Sequence, residues 1–255
     1  EAGKSIVVYG DYDVDGITAT SLLYRFLVKM GARVSYYIPE RQSEGYGLNL
    51  EALEHIISDG ASLVITVDCG ISSYDIVKAV CDRIDIIITD HHTAPPQIPP
   101  ARAVINHKQP DCPYKDKNLS GVGVAFKLCQ ALWLRQCGEW YLDDLDIVAL
   151  GTVADVVPLV GENRIIVQAG LKKMNELPNL GIDKLIDVAG LHDKTITAGH
   201  IGFTLAPRLN AAGRVTHATR AVELLVTDDV DLAETIAQEL QETNMERQEI
   251  ERSIH

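Results

Sequence analysis

The chain has 255 residues, 46% hydrophobic and 23% charged, with 36 acidic and 23 basic side chains and a formal charge of −13. This is an ordinary globular balance with enough length to bury a sizeable core. The acidic excess argues against a plain nucleic-acid binder with a basic surface, unless some of the acids are metal ligands whose cations change the local field.

No apolar run is long enough to span a bilayer, so no membrane partner is expected. Glu1-Ala2-Gly3-Lys4 leads into a strand-like stretch rather than a signal peptide, and a cytoplasmic location is expected. Cys69, Cys81, Cys112, Cys129 and Cys137 are scattered, odd in number and free of any C-x-x-C pair, which supports neither a disulfide framework nor a structural zinc site.

In chain order, residues 6–9, 34–38, 63–67 and 84–89 are short and rich in β-branched residues, as buried strands are. Residues 17–30, 49–59 and 73–80 lie between them with apolar positions at helical spacing, and residues 103–106 supply a candidate fifth strand. The alternation predicts an α/β unit with a mostly parallel sheet flanked by helices. From Ser120 the pattern turns helical, over 122–136, 142–154, 163–174 and 218–225. Residues 231–253 read as a long amphipathic helix with Leu232, Ile236 and Leu240 on one stripe. The expected organisation is an α/β domain over 1–158 and a helical extension with a connecting helix over 159–255.

Four acidic or histidine clusters carry the chemistry. They are Gly10-Asp11-Tyr12-Asp13-Val14-Asp15-Gly16, Asp68 in Val67-Asp68-Cys69-Gly70, Asp90-His91-His92, and Asp155 in Ala154-Asp155-Val156-Val157-Pro158. Each of the first three follows a predicted strand. In an open parallel sheet the loops at the carboxyl ends of the strands line the ligand crevice. Asp11, Asp13, Asp15, Asp68, His91 and His92 are therefore expected to converge, and like charges gathered so closely call for cations between them. Carboxylate oxygens with one or two imidazoles and no thiolate suit Mn2+ or Mg2+. Each cluster alone also has a plainer reading. Asp15-Gly16 could cap a helix, Asp68 could cap the next one, and His91-His92 could be surface residues.

These strings resemble the DHH phosphoesterase family, and within it the RecJ-like single-strand-specific exonucleases. The resemblance extends to Arg41-Gln42-Ser43-Glu44-Gly45-Tyr46-Gly47-Leu48, Ser120-Gly121-Val122-Gly123-Val124-Ala125 and Pro207-Arg208-Leu209-Asn210-Ala211-Ala212-Gly213-Arg214, in the family's order. It implies a DHH phosphoesterase fold and two Mn2+ or Mg2+ ions held by Asp13, Asp15, Asp68, His91 and Asp155, with Asp68 bridging. Asp11 and His92 would lie close by as ligands or substrate contacts. Related pyrophosphatases carry a histidine where this chain has Tyr9, so one metal is expected to lack that ligand.

The expected reaction is two-metal hydrolysis of a phosphodiester, with Asp68, His91 and His92 at the chemistry. Arg41, Arg208 and Arg214 are candidate phosphate contacts, since guanidinium binds phosphate oxygens bidentately, and Asn210 and His92 join them. The helix opened by Ser120-Gly121-Val122-Gly123 either cradles phosphate on its N–H groups or is simply capped. By resemblance the activity is 5′ to 3′ hydrolysis of single-stranded DNA, with further domains of a longer protein as partners. The alternatives are a hydrolase of short oligonucleotides, nucleotide phosphates or pyrophosphate, and a binding module without catalysis.

Overall fold

The computed structural model describes residues 4–40, 45, 47–215 and 218–254, with backbone alone at 212–215, 253 and 254. Five strands form one parallel sheet: β1 (Ser5–Tyr9), β2 (Arg33–Tyr37), β3 (Leu63–Val67), β4 (Asp85–Thr89) and β5 (Ala103–Ile105), in the spatial order β2-β1-β3-β4-β5. The order reverses between β1 and β3. The crossovers leaving these two strands therefore pass to opposite faces and open a crevice at their carboxyl ends.

Helix α1 (Val14–Lys29) follows β1, α2 (Leu50–Ser58) follows β2 and α3 (Tyr74–Val80) follows β3. On one face α2 and α3 bury Leu53, Ile56, Val77 and Val80 against Val7, Val64 and Ile86. On the other, α1 packs with α4 (Gly121–Cys137) and α5 (Leu145–Ala154), burying Ile17, Leu22, Phe26, Val122, Phe126 and Ile147. Strand residues alternate between the two cores, Val8 and Ile65 to one and Val7 and Val64 to the other, as the period of two requires.

The rest of the chain is helical: α6 (Gly161–Glu176), α7 (Leu180–Val188), α8 (Ala198–His200), a π-helical turn (Ile201–Leu205), α9 (Ala206–Val215), α10 (Thr219–Val226) and α11 (Val230–Ile254). These helices add Ile182, Leu185, Leu209, Leu224, Ile236 and Leu240 to the core that α1 and α5 share. Helices α7 and α9 lie outside the stretches read as helical from sequence. Pro207, Asn210 and Gly213 lower local helix propensity, yet burial of Leu209 and Ala211 outweighs that cost. No helix among the described residues is long and apolar enough to cross a membrane.

Candidate metal centre

The site is assembled by loops that leave strands at the reversal and by the near ends of two helices on one face. After β1 the chain turns through Asp11 to Asp13, whose Oδ1 caps α1 by accepting from Gly16 N at 3.0 Å. The capping role expected as one reading of Asp15 thus falls to Asp13. A Cβ on Gly16 would stand 2.5 Å from the Asp11 carbonyl, so the turn closes only around glycine.

Asp15, one residue into α1, is buried and aims at the start of α4. Its carboxylate accepts Gly121 N at 2.5 Å and Val122 N at 2.8 Å, and Ser120 Oγ takes Gly123 N at 3.2 Å. The amides that one reading of the sequence assigned to a phosphate are therefore occupied from inside the protein. The positive end of α4 offsets part of the charge of Asp15.

Asp68 leaves β3 with φ +60, a left-handed backbone uncommon outside glycine and recurrent at functional sites. It does not cap α3, which begins after Ser73. A Cβ on Gly121 would lie 2.4 Å from Asp68 Oδ1, so the bare start of α4 makes room for this carboxylate. The loop after β4 brings His91, with Nε2 3.2 Å from Asp68 Oδ1 and 3.9 Å from Asp15 Oδ2, and Nδ1 3.7 Å from Asp155 Oδ2. Asp155 terminates α5 at its C-cap.

Three groups of potential ligand atoms each fall within 4.8 Å of one another: Asp68 with His91 and His92, Asp15 with His91 and Asp155, and Asp11 with Asp13 and Asp68. Asp68 and His91 each belong to two groups. All seven residues drawn from the first-motif, Asp68, His91-His92 and Asp155 clusters are thus brought together.

Burial makes the charge of these groups costly. It pushes the Asp11 carboxyl to about 7, with Asp13 adding repulsion, and Asp155 to about 6. Asp15 and Asp68 are raised well above the ordinary range by burial and by neighbouring carboxylates. The two histidines diverge. Burial lowers His91 to about 4, so its imidazole is neutral near pH 7 and has a lone pair to offer. His92, half exposed, is raised chiefly by its hydrogen bond to Asp90.

Asp90 is the residue of this centre that sequence reasoning left without a role. Its Oδ1 accepts His92 N at 2.9 Å and meets His92 Nδ1 at 2.8 Å, and its Oδ2 accepts Ile71 N at 2.9 Å. One carboxylate thus ties the loop after β3 to the loop after β4 and sets the ring of His92. The Asp-His-His string contains it, but nothing in the string tells which of the three faces inward.

Tyr9 is fully buried, its hydroxyl donating to the Gly47 carbonyl at 3.3 Å and its ring 5.1 Å from that of Tyr37. It packs with the α2–α3 core, opposite the face carrying α1. Of the expected phosphate contacts, Arg208 lies on α9 with Nε on Gln241 Oε1 at 2.7 Å and Nη1 on the Thr204 carbonyl at 2.5 Å. Asn210 is exposed on the same helix. Arg41 and the side chain of Arg214 lie outside the described residues.

The family described as DHH family, N-terminal domain, matches residues 5–152. The chain is 45% identical over 248 residues to the single-stranded-DNA-specific exonuclease RecJ of Bacillus subtilis, covering 97% of this chain and 31% of that protein. It is 40% identical over 267 residues to RecJ of Escherichia coli K12, covering 99% of this chain and 46% of that one. Among solved structures, exonuclease RecJ bound to manganese superposes with a TM-score of 0.91 at 38% identity, over 99% of this chain and 64% of the other. RecJ from Thermus thermophilus in complex with Mn2+ gives 0.86 at 36% identity, over 99% and 36%. The chain thus spans less than half the length of these curated relatives.

Proposed function

The chain belongs to the DHH family, and on that footing we propose that it is the catalytic part of a two-metal phosphodiesterase that hydrolyses single-stranded DNA from the 5′ end. The observation that carries this reading is the convergence of three ligand groups that share Asp68 and His91. The donor set fits Mn2+ or Mg2+: hard oxygens, neutral imidazole and no thiolate, with Asp11 Oδ1 and Asp155 Oδ2 buried without a hydrogen-bond partner among the described residues.

In this reading Asp11, Asp13, Asp15, Asp68, His91 and Asp155 hold the ions. The chemistry such a pair supplies is Lewis-acid polarisation of the phosphoryl group and activation of the attacking water. The protein's own residues do the rest. Asp68 stands between two ligand groups and fixes their spacing. His91, kept neutral by burial, offers a nitrogen rather than a competing positive charge. His92, whose proton is stabilised by Asp90, donates to a phosphate oxygen as negative charge builds there. Arg208, Asn210, Arg41 and Arg214 remain the proposed phosphate contacts farther along the strand.

The division into residues 1–158 and 159–255 and the presence of further domains in the whole protein belong to this proposal, supported by the short span of the curated relatives that the chain covers. The second reading, hydrolysis of short oligonucleotides or small phosphate esters, shares the same centre. An end-labelled single strand with Mn2+ separates them: early release of the 5′ label, with duplex spared, supports the exonuclease. Release of the 3′ label first, or turnover of mononucleotide esters alone, rejects it.

A further inference from the structure

The turn that leaves β5 is pinned to the loop carrying His91 and His92. Asn106 Nδ2 donates to the His92 carbonyl at 2.8 Å, while Asn106 Oδ1 accepts Lys108 N at 2.7 Å. The Asn106 carbonyl accepts Gln109 N at 3.3 Å, and Asp90 N donates to the Ile105 carbonyl at 3.1 Å. Asn106 is buried, so this small network holds the backbone of Lys108 in a fixed place beside the metal-binding loop.

Lys108 itself is exposed, and among the described residues its ammonium is in no ion pair or hydrogen bond. Several other cations of the chain are engaged. Arg25 pairs with Asp144, Lys127 with Glu162 and Arg220 with Glu223 and Glu239, while Lys117 donates to two carbonyls. A lone lysine beside so many carboxylates is drawn toward them until divalent cations neutralise the crevice. Its natural counter-charge is then an incoming anion, and the Asn106 tether keeps it from leaving.

We propose that Lys108 contacts a non-bridging phosphate oxygen of the bound strand, held at the rim of the metal crevice by Asn106. This assignment rests on the reading of the site as a phosphodiesterase centre and adds a cation on the β5 side of the crevice.

The test uses the whole chain as native protein, Lys108→Gln and Lys108→Arg. Binding of a fluorescein-labelled ten-nucleotide single strand to Ca2+-loaded protein is read by anisotropy over a range of NaCl, and Mn2+ binding without DNA by calorimetry. Turnover of bis(p-nitrophenyl) phosphate with Mn2+ reports on the centre separately. Lys108→Gln should bind the strand about 5- to 10-fold more weakly at low salt, with the slope of log affinity against log salt shallower by about 0.7. Lys108→Arg should recover most of the loss, and Mn2+ affinity in Lys108→Gln should be equal to or tighter than in the native protein. Equal strand affinity and salt slope in native and Lys108→Gln protein overturns the assignment. So does a loss of Mn2+ affinity, which makes Lys108 a prop of the metal loop. Native protein that turns over no phosphodiester overturns the functional reading instead, whatever the variants do.

Discussion

In the crevice at the ends of β1, β3 and β4, carboxylates are buried beside one another. In the helical layer from α6 to α11, charges lie mostly toward solvent, and several form surface pairs. Arg220 meets Glu223 and Glu239, Arg247 meets Glu251, and Lys172 meets Glu176, all at the surface where such pairs contribute about 0 to 1 kcal/mol each. Asp11, Asp15 and Asp68 are nearly inaccessible, and burial raises all three. The helical layer is held by its apolar stripe and is indifferent to the details of its charges. The crevice works against the stability of the fold, and the offset comes from amides of α4 and, in the proposed function, from bound cations.

The most severe way to break that contrast is at the residue shared by two ligand groups. Asp68→Asn should lower turnover by at least about a thousandfold and remove tight Mn2+ binding, while circular dichroism stays native because the carboxylate contributes repulsion rather than packing. Native-like turnover in folded Asp68→Asn protein rejects the centre. Next in size is Asp90→Asn, which keeps the shape but weakens the hold on His92. About 10- to 100-fold is the expected loss in kcat, and the alkaline limb of the pH–rate profile should move to lower pH as His92, which acts in its protonated form, loses the charge that raises it. An unchanged profile would show that His92 does not titrate in the reaction.

A third effect concerns stability. Asp11 at about 7 and Asp155 at about 6 lie above their ordinary 3.8, so the folded protein favours their protonated forms. The stability this contributes is complete below about pH 4 and is lost as pH rises through 6 to 7. Chelated protein should therefore melt roughly 5 to 10 °C lower at pH 8 than at pH 5, and Mn2+ at pH 8 should restore the difference. Metal affinity should climb through the same window as these acids give up their protons. Chelated protein whose Tm is flat or rising from pH 5 to 8 contradicts the burial account.

The helical layer should answer with smaller changes. Arg208→Ala removes contacts to Gln241 and to the Thr204 carbonyl, and about 1 kcal/mol of stability with a few-fold rise in KM on single strands is expected. Phe203, 89% exposed in the π-helical turn, should tolerate Phe203→Ser within about 0.5 kcal/mol by denaturant melt. A large destabilisation there would mean that the exposed ring is covered in solution.

Much of this was legible in the sequence because strands and ligands obey short-range rules. The β-branched runs located all five strands to within a residue or two, and the aspartates after β1 and β3 were expected at one edge because a parallel sheet leaves them nowhere else to meet. What escaped depends on tertiary placement. Helix α9 was hidden by Pro207, Asn210 and Gly213, whose local preferences are overridden by burial of Leu209 against the shared core. The unequal characters of His91 and His92, adjacent and identical in type, arise from burial on one side and Asp90 on the other. Lys108 could not be singled out among the lysines, since its position follows from a hydrogen bond between Asn106 and a carbonyl fourteen residues earlier.

The six proposed metal ligands run from Asp11 to Asp155, spread across β1, β3, β4 and α5, and that spread has a consequence for biosynthesis. During translation at roughly 5 to 20 residues per second, the last ligand follows the first by about 7 to 30 seconds. The β1 and β3 segments must wait for α4 and α5 before Asp15 finds the amides of Gly121 and Val122 and before His91 meets Asp155. No nascent segment short of this holds the complete centre, so the proposed activity is withheld until α5 and Asp155 have emerged and packed.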